Sequence, residues 1–161
     1  MMCRLLLVLL LLVPVSAVGI EKADLVVVNK SKTRIYLIKD NKVFKSFRIS
    51  LGADPKGHKQ QEGDERTPEG RYTLDYKKSD SAFYKAIHIS YPNENDVIRA
   101  RELGVDPGGE IMIHGQKNQL SKISFTKQSR SWTDGCIAVT NSAMDEIWKS
   151  VDAGTPIIIK P

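Results

Sequence analysis

The sequence predicts a mixed α+β domain that is mainly β. Three observations carry that prediction. β-branched and alternating apolar/polar runs fill the first half of the chain, only two stretches have helical spacing, and both of those lie late. No internal repeat, low-complexity segment or linker divides the sequence. A chain of 161 residues, 41% hydrophobic and 27% charged, fits one globular domain with a core of its own.

Residues 1–17 are expected to stand outside that domain as a signal peptide. Arg4 supplies a positive start, Leu5 to Val13 is an unbroken apolar run, and Val15-Ser16-Ala17 after Pro14 is a small-residue cleavage pattern. The run is shorter than the roughly 20 residues that span a bilayer. Residues 18–161 then form the single domain of an exported protein, periplasmic or associated with the cell wall.

Leu25 to Val28 is a β-branched run and reads as the first strand. Arg34 to Lys39 and Lys42 to Leu51 follow as strand candidates. Asp40-Asn41 between them reads as a hairpin turn, because both residues tolerate positive φ. Gly52 to Gly70 is polar and rich in Gly and Pro, a long loop of a kind that is usually functional or mobile. Arg71 to Tyr76 and Ala86 to Ser90 are further strands. Asn93 to Leu103 has helical spacing, with Asn93 or Asn95 as cap and Val97, Ile98 and Leu103 on one side. Glu110 to His114 is a short strand, and Gln116 to Arg130 reads as a polar loop. Asn141 to Val151 is the clearest helix: Asn141 is placed to cap it, and Met144, Ile147, Trp148 and Val151 form one apolar face. Pro156 to Lys160 closes the chain as a β-branched strand.

Lys and Arg number 24 against 19 Asp and Glu, a net charge of +5. This modest excess favours an anionic partner such as a wall polymer or membrane surface. It excludes a nucleic-acid binder, since there is no dense basic run with interleaved aromatics, no finger motif and no basic helix. Cys3 leaves with the signal segment, so Cys136 is the one cysteine of the mature chain and cannot form an internal disulfide. An unpaired thiol in an exported protein needs a reason: a partner, an inert buried position or catalysis.

The stretch that carries chemistry is Ile111-Met112-Ile113-His114-Gly115, followed by Ser131-Trp132-Thr133-Asp134-Gly135-Cys136. His114 ends an apolar strand and Cys136 opens another, so the two meet if those strands are neighbours. An imidazole beside a thiol can take its proton and leave a thiolate, which in an enzyme is expected well below about pH 8.5. Gly135 allows close backbone approach and lets amides face a developing oxyanion. The Gly115 carbonyl is placed to orient the ring. One Cys and three His lack metal-ligand spacing, so no metal is expected.

His114-Gly115 and Thr133-Asp134-Gly135-Cys136 resemble the signature of the L,D-transpeptidase catalytic domain (YkuD-type) family, a His-Gly followed after a spacer by Ser/Thr-His-Gly-Cys. The resemblance covers nearly the whole chain after residue 17, including Thr67-Pro68-Glu69-Gly70 before a strand and the closing helix and strand. Asp134 stands where the common motif has a second histidine, and Ala138 where many members carry Arg or Asn. In this the chain is similar to a divergent branch that includes enzymes cleaving peptidoglycan–lipoprotein links.

The resemblance implies a β-sandwich with a long loop and two helices. It also implies an exported cysteine enzyme acting on peptidoglycan stem peptides at diaminopimelate, with a wall-anchored lipoprotein as a further possible partner and no cofactor. Cys136 would form a thioester, with His114 as base and then acid. Gly115 would hold the ring, and the backbone N–H groups of Gly135 and Cys136, with Asp134 or Thr133 nearby, would form the oxyanion hole. An amine acceptor gives transpeptidation, whereas water gives an L,D-carboxypeptidase or amidase.

Weaker candidates for the cleft are His88, Ser90, Tyr91, Trp132 and Thr133. Arg66 is a candidate for a substrate carboxylate, with Thr67 beside it. His58 and Lys59 are expected on a solvated loop face. Two other classes compete with the enzyme: a non-catalytic wall-binding module of the same fold, and a thiol-redox protein, which would lack a resolving cysteine.

Overall fold

A computed structural model describes residues 19–118 and 131–161. The expected signal segment, and all but the first three residues of the expected Gln116–Arg130 loop, lie outside the described residues. The chain forms β1 (Leu25–Asn29), β2 (Arg34–Lys39), β3 (Lys42–Arg48), β4 (Gly70–Ser81), β5 (Tyr84–Ile89), α1 (Glu94–Leu103), β6 (Met112–His114), β7 (Ile137–Ala138), α2 (Asn141–Ser150) and β8 (Thr155–Lys160). The domain is mainly β, as the sequence predicts.

All eight strands join one sheet in the order β3-β2-β1-β8-β4-β5-β6-β7. Parallel pairing joins β1 to β8 and β6 to β7, and the other pairs are antiparallel. The β2–β3 turn has positive φ at both Asp40 and Asn41, 49° and 61°, as those residues predict. The chain just past β3 then reaches the opposite end of the sheet. There Ser50 and Ala138 exchange two backbone hydrogen bonds, of 2.8 and 2.9 Å. The implied sandwich is therefore one sheet curled so that the segment after β3 meets β7 at its far end.

Alternation decides what lies inside. Val26 and Val28 of β1, Ile35 and Leu37 of β2, Ile87 and Ile89 of β5, and Ile157 and Ile159 of β8 are buried. A fully buried side chain of this kind contributes about 1.5–3 kcal/mol. Helix α2 adds Met144 and Ile147 to the core and packs against β5. Trp148 only borders that core, half-buried under Lys77, whose Nζ lies 4.7 Å from the ring centre.

Three local expectations need correction. Helix α1 turns Ile98 and Leu103 outward, 52% and 57% exposed, and buries Asp96 and Ala100. The reason is polar: Asp96 accepts hydrogen bonds from Tyr72 and from the Asn93 N–H, and pairs with His58 and Arg99. Asn93 caps this helix in a capping box with Asp96. In α2 the cap is Thr140, whose Oγ1 accepts from the Ala143 N–H, and not Asn141. In the long loop Lys59 is not solvated: its Nζ is buried against Asp64 (2.8 Å) and the Gln61 carbonyl (3.0 Å). His58 is likewise tied in, with Nδ1 accepting from the Glu69 N–H and Nε2 facing Asp96 at 3.0 Å.

Candidate active site

The register of two short strands brings His114 and Cys136 together. Ile113 pairs with Ile137 and His114 with Ala138, so Met112 comes opposite Cys136. The Met112 N–H confirms this by donating to Cys136 Sγ at 3.4 Å. Residues two apart on a strand share a face, so His114 and Cys136 project to the same side. Their backbones are offset by one strand spacing, about 4.8 Å, and two residues along, about 6.6 Å. The opposite face of the same strands, with Ile87, Ile113 and Ile137, belongs to the core.

Both side chains line a cavity of about 300 Å³. Phe83 and Trp132 wall it beside the imidazole, with ring centres 4.6 and 5.9 Å from that of His114. Lys78, Glu110 and Asp134 supply its charged lining.

Each functional group is held by its own neighbours. His114 is buried, and its Nδ1 lies 2.6 Å from the Gly115 carbonyl. A carbonyl only accepts, so Nδ1 carries the proton and Nε2 keeps a lone pair. Gly115 has no room for a side chain: a Cβ would lie 2.7 Å from Asn141 Oδ1 and 2.9 Å from the Tyr84 Cβ. Asn141 Oδ1 accepts from the Gln116 N–H at 2.8 Å, which fixes the chain leaving the histidine.

The cysteine sits at the end of a tight turn. Thr133 Oγ1 donates to the Cys136 carbonyl (2.6 Å) and accepts from the Gly135 N–H (3.3 Å). Gly135 has φ +126°, and a Cβ there would lie 2.7 Å from the Arg66 carbonyl. The Cys136 thiol donates to the Glu110 carbonyl at 3.6 Å.

Electrostatics correct the expected thiolate. Burial pushes the Cys136 thiol above its ordinary value. Asp134 and Glu110 push the same way, against the Met112 N–H and Lys59. Burial also pushes His114 down, opposed by its bond to Gly115. At rest the two groups are therefore a neutral thiol and a neutral imidazole that line one cavity. Such a pair suits proton transfer during attack, with no standing ion pair.

Of the weaker candidates, Trp132 and Thr133 line the cavity and the others do not; Asp134, expected near the oxyanion hole, also lines it. Tyr91 is a core residue, with its hydroxyl on the Pro107 carbonyl. His88 pairs with Asp75 (2.7 Å) and stacks on Tyr76, while Ser90 Oγ accepts from the Thr73 N–H. The Arg66 side chain is engaged by Asp54 at 3.0 Å, and Thr67 is buried, its hydroxyl accepting from the Gly52 N–H. Sequence reasoning passed over Phe83, Met112 and Glu110. The Phe83-Tyr84 pair at a polar turn was the one signal available for the first.

Comparison with known proteins shows the family and the fold. Residues 23–159 match the family model of the L,D-transpeptidase catalytic domain, YkuD. YafK of Escherichia coli (strain K12) is 34% identical over 108 residues, 66% of this chain and 36% of YafK. YqjB of Bacillus subtilis (strain 168) is 25% identical over 138 residues, 83% of this chain and 69% of YqjB. Both carry an L,D-transpeptidase name, and this chain spans about a third of the length of YafK. The helical cell shape determining protein Pgp2 of Campylobacter jejuni superposes with a TM-score of 0.63 at 28% identity, over 85% of this chain and 48% of Pgp2. The Enterococcus faecium L,D-transpeptidase shares the fold, with a TM-score of 0.57 at 17% identity, over 86% of this chain and 50% of that one.

Proposed function

The chain belongs to the L,D-transpeptidase catalytic domain (YkuD) family, and from that membership we propose that it is an exported cysteine enzyme of peptidoglycan remodelling, periplasmic or wall-associated. The observation that carries the proposal is the shared cavity of Cys136 and His114, in which the imidazole is held by Gly115 with Nε2 left as base. In this reading Cys136 Sγ attacks the carbonyl at the L,D-bond of a stem peptide beside diaminopimelate. A C–S bond forms, the thiol proton passes to His114 Nε2, and the C–N bond breaks as that proton moves to the leaving amine. The Cys136 N–H is the oxyanion donor, because the Gly135 N–H is committed to Thr133 Oγ1. An amine then takes the acyl group from sulfur, and a 3–3 cross-link results.

Asp134 favours a second reading. It lines the cavity where the common motif carries histidine. If water is the acceptor, the same thioester gives an L,D-carboxypeptidase or a peptidoglycan–lipoprotein amidase. Mass spectrometry of tetrapeptide muropeptides and lipoprotein-linked wall fragments tests both readings, with Cys136→Ala alongside. Cross-linked dimers mean transpeptidation. Shortened stems or freed lipoprotein mean hydrolysis. Wall binding that survives Cys136→Ala, with no product from either protein, means a binding module.

A further inference from the structure

Pairing across three strands lines up the cation and the base of the cavity. Lys78 of β4 pairs with Ala86 of β5, and Ala86 pairs with His114 of β6. Directly paired residues project to one face of a sheet. Lys78 therefore stands on the face that carries His114 and Cys136, two strand spacings or about 9.6 Å along the row from His114. The neighbouring Lys77 pairs with Ile87 and turns the other way, where its Nζ donates to the Trp148 and Val151 carbonyls at the end of α2. Ala86, between Lys78 and His114, also lines the cavity, and its short side chain leaves the floor between them open.

The charges in this cavity are arranged end to end. Glu110 and Asp134 lie at the cysteine end: the thiol donates to the Glu110 carbonyl, and Asp134 is two residues before Cys136 on its turn. Lys78 lies at the other end, beyond the imidazole. Among the described residues its ammonium has no hydrogen-bond or ion-pair partner. An anion that enters the cavity is repelled from the first end and drawn to the second. Phe83 and Trp132 flank the imidazole, and their low polarity strengthens that attraction.

We propose that Lys78 is a specificity residue that binds the free α-carboxylate of the leaving amino acid, so that the site reads the end of a stem peptide. The inference rests on the proposed reaction at Cys136 and His114 and extends it to the leaving side. In that reaction the C–N bond breaks and His114 Nε2 gives its proton to the leaving amine, so the amine lies against the imidazole. The α-carboxylate is one carbon from that amine. With the acyl carbon at Cys136 and the amine at His114, the carboxylate points along the row toward Lys78 and away from Glu110 and Asp134. It is present there only when the leaving residue is the last of its chain; an internal residue carries an uncharged amide. Lysine suits this task as a point charge on a flexible stem.

The test is the binding of two stem tetrapeptides, one with a free C-terminal carboxylate and one with a C-terminal carboxamide. The proteins are Cys136→Ala and the same chain carrying Lys78→Met, Lys78→Arg or Lys78→Glu as well. Calorimetry or NMR titration gives Kd without turnover. Lys78 is exposed and makes no side-chain bond to the described fold, so these variants fold. We expect the free acid to bind about three- to tenfold tighter than the carboxamide when Lys78 is present, and equally when methionine replaces it. Lys78→Arg restores the preference and Lys78→Glu reverses it. Equal affinity for the two peptides with Lys78 in place, a preference that survives Lys78→Met, or no binding of either peptide overturns the proposal. Turnover of the free acid by the wild-type chain is scored separately. Binding with the expected preference but without product means that the proposed activity fails while this site stands.

Discussion

His114 gives its Nδ1 to the carbonyl of Gly115 at 2.6 Å, and that contact decides which nitrogen can serve as a base. The contact depends on a glycine, because Asn141 Oδ1 and Tyr84 fill the space a side chain would need. Asn141 in turn holds the Gln116 N–H, so the base is fixed through three consecutive residues and one side chain from α2.

Asn141 and Thr140 are adjacent, but their substitutions are expected to separate. Thr140→Ala removes the α2 cap and costs about 1 kcal/mol of stability, with little effect on turnover. Asn141→Ala leaves the cap and frees the Gly115–Gln116 segment, so kcat falls while the melting temperature changes less. Melting curves and muropeptide turnover on the two variants check this.

Gly135→Ala is expected to damage the nucleophile turn in two ways. Alanine resists φ +126°, at a cost of about 1–3 kcal/mol, and its methyl group meets the Arg66 carbonyl. The turn must shift, and Cys136 loses its place against Met112 and Glu110. The measurement is Cys136 alkylation in a variant shown by circular dichroism to be folded.

Removal of a cavity wall is expected to move the acid limb of activity. His114 titrates below its ordinary value because it is buried, and Phe83 and Trp132 flank its ring. Phe83→Ala admits water and lets the pKa rise toward about 6.5. The wild-type limb of kcat/KM then lies below about pH 6.5, and the variant limb lies higher.

Stability should be greatest between the two titrations. His114 is depressed in the folded state, so its contribution is present above about pH 6.5 and is lost as pH falls through the folded value. Asp96 adds to the loss in acid. Burial alone would raise it, but hydrogen bonds from His58, Asn93 and Tyr72 outweigh that and hold it low. Cys136 is raised, so its contribution is present below about pH 8.5 and is lost as pH rises through the folded value. Urea unfolding at a series of pH values reads this directly; Cys136→Ser removes the part of the alkaline decline that belongs to the thiol and leaves that of the buried phenols Tyr72 and Tyr91, which are raised as well.

Much of this was legible in the sequence because the signals were local. Asp40-Asn41 fixed a hairpin through its own φ preferences, and the β-branched runs at Leu25–Val28 and Pro156–Lys160 became strands that pair in parallel. His114 and Cys136 were found from residue type and strand position. What was hidden depends on partners distant in sequence. Helix α1 buries its polar side because Tyr72 and His58 meet Asp96 there, and no periodicity within residues 93–103 encodes those partners. Lys59 looked like a solvated loop residue because its carboxylate partner, five residues on, is recognisable only once the loop is folded. Phe83 reaches the cavity because the β4–β5 hairpin turns beside β6, a matter of topology and not of composition.

The central claim is that Cys136 carries the acyl group, with His114 moving the proton. Intact-protein mass spectrometry during turnover of a tetrapeptide stem, followed by peptide mapping, tests it most directly. The account predicts an adduct on Cys136 with the mass of the acyl donor less its leaving amino acid, absent in Cys136→Ala and slow to form in His114→Gln. Turnover without an adduct on Cys136, or undiminished in Cys136→Ala, would contradict it.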